Sequence, residues 1–85
     1  MKVKLVYFAW VRERIDKPEE EIELPAHVVT ARDLLNHLKT LGDGYEAALQ
    51  YPEVIRVAVN QEHVDQDEPI AGAREIGIFP PMTGG

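Results

Sequence analysis

The chain has 85 residues, enough for one domain with a small core, and its 45% hydrophobic content is ordinary for a globular protein. It contains no cysteine, which excludes a disulfide framework, a thiolate metal site and a cysteine nucleophile; any sulfur chemistry would need sulfur from elsewhere. Fifteen acidic residues against nine basic give a formal net charge of -6, a balance that disfavours nucleic acid and is compatible with a basic protein partner. No long apolar run is present, and Met1 leads directly into Lys2-Val3-Lys4-Leu5. Neither a membrane span nor a signal peptide is expected, and the cytoplasm is the expected location.

Residues 2–9 are rich in Val, Leu, Tyr and Phe, with Val3, Leu5 and Tyr7 on one face and Val6 and Phe8 on the other. This predicts a strand that is apolar on both faces, central in a sheet or covered by a partner. Trp10 and Val11 extend the apolar run before Arg12-Glu13-Arg14, a candidate short helical turn. A turn over residues 16–20 then leads into Glu21-Ile22-Glu23-Leu24, an alternating half-exposed strand ending at Pro25. Together these predict an N-terminal hairpin.

Thr30 is a good N-cap, and Asp33 three residues later makes a capping box with Asp in the usual Glu place. Ala31, Leu34, Leu35, Leu38 and Leu41 recur at helical spacing, which predicts about three turns packed on the sheet and ended by Gly42. His37 falls off that stripe. A second short helix is predicted from Tyr45 to Leu49, closed by Pro52, followed by a strong strand signal from Val54 to Val59. Asn60-Gln61-Glu62-His63 reads as a turn, Val64 as the start of a very short strand, and residues 65–69 as an acidic loop. A turn at Ala71-Gly72-Ala73 precedes a last strand, Glu75-Ile76-Gly77-Ile78-Phe79. The order predicts an α+β roll, with one main helix across a mixed sheet of about four to five strands.

Side chains for independent catalysis are not evident. His27, His37 and His63 are far apart in sequence and no HxxxH or HExxH spacing exists, so no metal site is expected. Asp65, Asp67 and Glu68 lack the glycine and ligand alternation of a calcium loop, and no phosphate-binding glycine motif is present. A body this small also leaves little room for a pocket of the usual ligand volume.

The remaining chemistry lies in the closing stretch Phe79-Pro80-Pro81-Met82-Thr83-Gly84-Gly85. Pro80 and Pro81 fix an extended neck, while Gly84 and Gly85 have no Cβ and fit a channel too narrow for other residues. We therefore divide the chain into a folded body at residues 1–79 and an extended tail at residues 80–85. The carboxylate of Gly85 is a poor electrophile until adenylated; attack by a sulfur donor would then leave a thiocarboxylate. Docking of the body would hold that sulfur at high effective concentration in a partner's site, with Gly84 and Thr83 giving access.

On these residues the chain resembles the MoaD family, the ubiquitin-like sulfur-carrier subunits of molybdopterin synthase. Val3-Lys4-Leu5-Val6-Tyr7-Phe8-Ala9 with Arg12-Glu13 is similar to the family's first strand and turn. Thr30 through Leu38 matches its capped helix, and Val57-Ala58-Val59-Asn60-Gln61 its middle strand. The Phe-Pro-Pro-x-x-Gly-Gly ending is the most specific match. The resemblance implies a β-grasp fold and a cycle in which an adenylating enzyme of the ubiquitin-activating kind uses ATP to activate Gly85. A sulfur-donating system would then make the thiocarboxylate, with no cofactor bound permanently. The carrier would join a large synthase subunit as a heterotetramer and donate sulfur to cyclic pyranopterin monophosphate, forming the molybdopterin dithiolene. Catalytic groups would lie mostly in the large subunit, so the carrier alone would not be an enzyme.

One departure from the family is Ala71-Gly72-Ala73-Arg74-Glu75, which keeps the glycine of an acidic turn but loses its flanking aspartates. The glycine can still take positive φ, so the fold should tolerate the change. For partner binding the candidates are Phe8, Phe79, Pro80, Pro81, Met82 and Thr83, with Trp10 either an interface anchor or a core residue. Competing readings share the activated tail: a carrier for thiamine or transfer-RNA thiolation, or a protein modifier joined to lysine through Gly85. A plain interaction domain with an inert tail predicts instead that deleting Gly85 is harmless.

Overall fold

The computed structural model describes residues 1–81; the calls on Met82, Thr83, Gly84 and Gly85 lie outside the described residues. Alternation of apolar residues makes β1 (Lys2–Tyr7), with Val3, Leu5 and Tyr7 almost fully buried on one face. The strand stops at Tyr7, short of the expected Ala9, because Ala9 takes a left-handed φ of 52° that turns the chain. A left-handed alanine is sterically disfavoured and marks a forced corner. The predicted helical turn is a full helix α1 (Ala9–Ile15), ended by Asp16 in the left-handed region. It separates β1 from β2 (Glu19–Glu23), so the two strands pair antiparallel without forming a tight hairpin. β2 also begins two residues earlier than read, taking Glu19 and Glu20 out of the supposed turn.

Helix α2 (Ala31–Leu38) starts with the predicted box: the Asp33 backbone N–H donates to Thr30 Oγ1 at 3.1 Å, and the Thr30 N–H donates to the Asp33 carboxylate at 3.1 Å. Those backbone hydrogen bonds, from Thr30 and Val29, hold the Asp33 carboxyl below its ordinary range. Ala31, Leu34, Leu35 and Leu38 form its buried face. The helix is shorter than the leucine spacing predicts. After Leu38, the Thr40 and Leu41 N–H groups bond back three residues and the Thr40 hydroxyl takes the His37 carbonyl, tightening the chain out of α geometry. Leu41 is consequently 43% exposed, and Gly42 serves as N-cap of α3 (Asp43–Ala48), not as the end of α2. Replacing Thr30 with alanine should cost about 1 kcal/mol, read as a lower urea midpoint with an unchanged slope.

A 3-10 turn at Pro52–Val54 shortens the next strand to β3 (Arg56–Val59). Asn60 and Gln61, with φ of 50° and 71°, form a two-residue hairpin turn to β4 (Glu62–Val64). The expected four-residue turn therefore contracts, and His63 stands in a strand. The Asn60 side chain accepts from the backbone N–H groups of Arg74 and Glu75, tying this hairpin to β5 (Glu75–Phe79). Gly72 takes φ of 82° in the preceding turn, the conformation for which the glycine was expected to be kept.

The sheet has five strands in the order β2-β1-β5-β3-β4, with β1 and β5 parallel and every other pair antiparallel. Register places Leu5 beside Ile76, Tyr7 beside Ile78 and Val57 beside Ile78, so one face meets α2 in a continuous apolar core. This is the mixed β-grasp roll implied by the resemblance, with α2 as its main helix, α3 as the second short helix expected, and α1 in place of a single helical turn. Among the described residues no helix is long and apolar enough to cross a membrane.

Candidate functional site: the outer face of the sheet at the base of the tail

Alternation sends the residues between the core positions to the outer face. Phe8, one step beyond Tyr7, and Phe79, at the end of β5, project there from neighbouring parallel strands. Their rings stack with centroids 4.2 Å apart and planes 5° from parallel. His63 on β4 tilts against Phe79 at 5.3 Å. Phe8 is 39% exposed and Phe79 half-buried, so the pair is an apolar surface and not a second core layer. Phe8, Ala9, Arg56, His63, Phe79, Pro80 and Pro81 line an open cavity of about 560 Å³.

Pro80 and Pro81 thus leave the sheet along the rim of this patch. A second open depression of about 750 Å³ lies around β4 and reaches Pro81, lined by Glu53, Glu62, Asp65 and Glu68 among others. Little room for a ligand-sized pocket was expected; both hollows reach that volume as open surface features, not enclosed pockets. Trp10 does not join the patch. It is half-buried on α1 against the core, with the Arg14 guanidinium 4.4 Å from its ring centroid.

Arg56, Ala9 and Gly77 were not singled out from the sequence, and His63 was weighed only as a metal ligand. His63 was hidden by the missing glycine in the Asn60-Gln61 turn, since Asn-Gly would have announced a two-residue hairpin. Among the described residues no group of three or more His, Cys, Asp or Glu could hold a metal ion.

The opposite face holds a dense titratable cluster. Glu20 sits beside Leu5 in register and so points toward the core side. Tyr7 and Tyr45 both donate to its Oε2, at 2.7 and 2.6 Å, while Lys17 donates to Oε1 at 3.1 Å and to the Tyr45 hydroxyl oxygen at 3.0 Å. Burial pushes the Glu20 carboxyl up, but the hydrogen bonds from Tyr45, Tyr7 and Lys17 outweigh it and hold it below its usual range. Burial first, then the Glu20 hydrogen bond, pushes the Tyr7 phenol well above its ordinary value. Every polar group in this cluster has a partner. It is a structural tie between β1, β2 and α3.

The described residues thus place a stacked aromatic pair and an open hollow beside Pro80 and Pro81. A family model described as the ThiS family matches residues 5–85. The chain belongs to the ThiS family. Within that family it is 34% identical over 83 residues to the molybdopterin synthase sulfur carrier subunit of Escherichia coli (strain K12), spanning 98% of this chain and 99% of that one. The subunit of the same name from Dictyostelium discoideum is 39% identical over 84 residues, covering 96% and 94%. The solution structure of small archaeal modifier protein 1 from Methanosarcina acetivorans superposes with a TM-score of 0.71 at 24% identity, over 99% and 96% of the two chains. That last likeness shows the fold alone. The ThiS-family assignment agrees with the resemblance read from the strands, the capped helix and the Phe-Pro-Pro-x-x-Gly-Gly ending.

Proposed function

We propose that this chain is the sulfur-carrier subunit of a molybdopterin synthase, non-catalytic alone and delivering sulfur through Gly85. The observation that carries the reading is similarity over almost the full length to subunits of that name, with the ThiS family model reaching Gly85. The tail's base supports it, because Pro80 and Pro81 depart beside an exposed aromatic pair that a partner could cover. Phe8, Phe79, Pro80 and Pro81 are the described members of that partner surface; the calls on Met82 and Thr83 lie outside the described residues.

In the cycle, an oxygen of the Gly85 carboxylate attacks the α-phosphate of ATP on an adenylating enzyme, and pyrophosphate leaves. A donor at the oxidation level of sulfide attacks the acyl carbon and expels AMP, leaving the thiocarboxylate. The carrier then docks on the large subunit, and the sulfur bonds to a carbon of cyclic pyranopterin monophosphate as a carbon–oxygen bond there breaks, the oxygen leaving as water or staying on the phosphate. Hydrolysis of the acyl–sulfur bond returns the Gly85 carboxylate. Each carrier brings one sulfur, so the two sulfurs of a dithiolene require two deliveries.

The test is an intact mass of the protein purified from its own cells with the large subunit attached, followed by C-terminal fragment analysis. The expected result is a shift equal to exchanging one oxygen for sulfur, confined to Gly85 and lost on adding pyranopterin precursor. A branched lysine peptide carrying Gly84-Gly85 would move the answer to protein modification. Deleting Gly85 should abolish adenylation and sulfur transfer while leaving thermal unfolding unchanged; a fully active deletion variant would overturn the carrier reading.

A further inference from the structure

Register sets a row of residues across the outer face: Val6 on β1, Gly77 on β5, Ala58 on β3 and His63 on β4. Gly77 is buried although it faces outward, because the Phe8 and Phe79 rings cover it. A Cβ built at Gly77 would lie 2.8 Å from Phe79 Cε1, 3.2 Å from Phe79 Cζ and 3.3 Å from Phe8 Cε2. All three distances are shorter than ordinary carbon contact.

The glycine is not there for its backbone. Gly77 has no positive φ and pairs in register with Val6 on one side and Ala58 on the other. A glycine in the middle of a strand weakens it, and one such position commonly marks a close approach by another group. Here the group is the aromatic pair, which covers the bare backbone and restores the lost packing.

We propose that Gly77 is a positioning residue for the tail, its missing Cβ being the seat against which the edge of the Phe79 ring rests while its face stacks on Phe8. Phe79 is the last residue of β5, and Pro80 and Pro81 follow with φ fixed by their rings. Seating the ring therefore settles both the heading of the neck and the shape of the cavity formed with Ala9, Arg56 and His63. This inference rests on the reading of the outer face as the partner surface.

The test is Gly77→Ala in the full chain, with three readouts. A new methyl meets the far end of a ring that can swing, so the backbone need not move and the ring must lift. Proton NMR should therefore show the Phe8 and Phe79 ring signals losing the mutual shielding of a stacked pair. Thermal unfolding should stay level or rise, because alanine restricts the unfolded chain more than glycine does. Affinity for the large subunit should fall at least tenfold. Stability and docking would then move in opposite or unlinked directions, which loss of fold cannot produce.

Unchanged ring signals would overturn the seat itself, whatever the partner does. A large drop in unfolding temperature would overturn it too, since the glycine would then serve the backbone. Lifted rings with undiminished affinity, alongside strong loss in Phe79→Ala, would overturn the positioning role and leave the partner surface standing. Undiminished affinity in both variants would instead remove the partner-surface reading, and with it this inference.

Discussion

Replacing Glu20 with alanine is expected to destabilise the protein by about 2–4 kcal/mol, since it leaves a buried Tyr7 hydroxyl without its acceptor and unties Tyr45 and Lys17. Glutamine at this position keeps the volume and can still accept, so it should cost less than half of that. The pair also separates the pH dependence. Glu20 is held below its unfolded value, so its contribution is complete above about pH 4.5 and is lost as pH falls through the lower folded value. Tyr7 is held above its unfolded value, so its contribution is complete below about pH 10 and is lost as pH rises beyond that. Urea midpoints of the wild type should therefore fall at both extremes. Glu20→Gln should flatten the acid limb only in part, because Asp33 and Glu23 are also held low, by hydrogen bonds to backbone groups and to the N-terminal ammonium. An acid limb identical in the two proteins would show that Glu20 is not ionised in the fold.

Replacing Phe79 with alanine should weaken binding to the large subunit by about 2–4 kcal/mol, roughly thirtyfold to a thousandfold, as for a buried aromatic anchor at an interface. The loss has two sources. One is the ring's own area, and the other is Phe8, which loses the surface against which it stacks at 4.2 Å. Folding should suffer much less, because the ring lies outside the apolar core and solvent already reaches Phe8 beside it. The pairing can be isolated with Phe8→Ala and the double variant measured by calorimetry against the same partner. If the two rings act as one anchor, the double variant will bind only slightly worse than either single one. Fully additive losses would mean that each ring fills its own place on the partner.

The core of the fold was legible because its signals were local and mutually consistent. Thr30 with Asp33 marked the start of α2 to the residue, and the alternation between the Gly72 turn and the Pro-Pro neck gave β5 its full extent. What failed depended on contacts distant in sequence. Helix α1 was underestimated because Phe8 and Ala9 continue the apolar run of β1, and only the left-handed corner at Ala9 divides them. Glu20 looked like one charge in a charged turn; its role appears only when Tyr7 and Tyr45 arrive from β1 and α3. The site was legible in the same partial way. Phe8 and Phe79 could be placed near the tail from the apolar strands that carry them, but not the parallel pairing that stacks them. His63 and Gly77 needed the register of β4 and β5 on their neighbours, which no local pattern encodes.

The parallel pairing of the first and last strands has a mechanical consequence. A pull on the tail acts along β5, which is bonded to β1 on one side and β3 on the other. The load falls across both ladders at once, in shear, so their hydrogen bonds share it instead of opening one after another. A partner could grip, thread and withdraw the tail while the handle stays folded. The same placement orders assembly. The middle strand of the sheet is the last of the five to be made, so β2–β1 and β3–β4 must wait as separate halves until it arrives between them. A chain cut short before that strand would have no complete sheet from which to present anything.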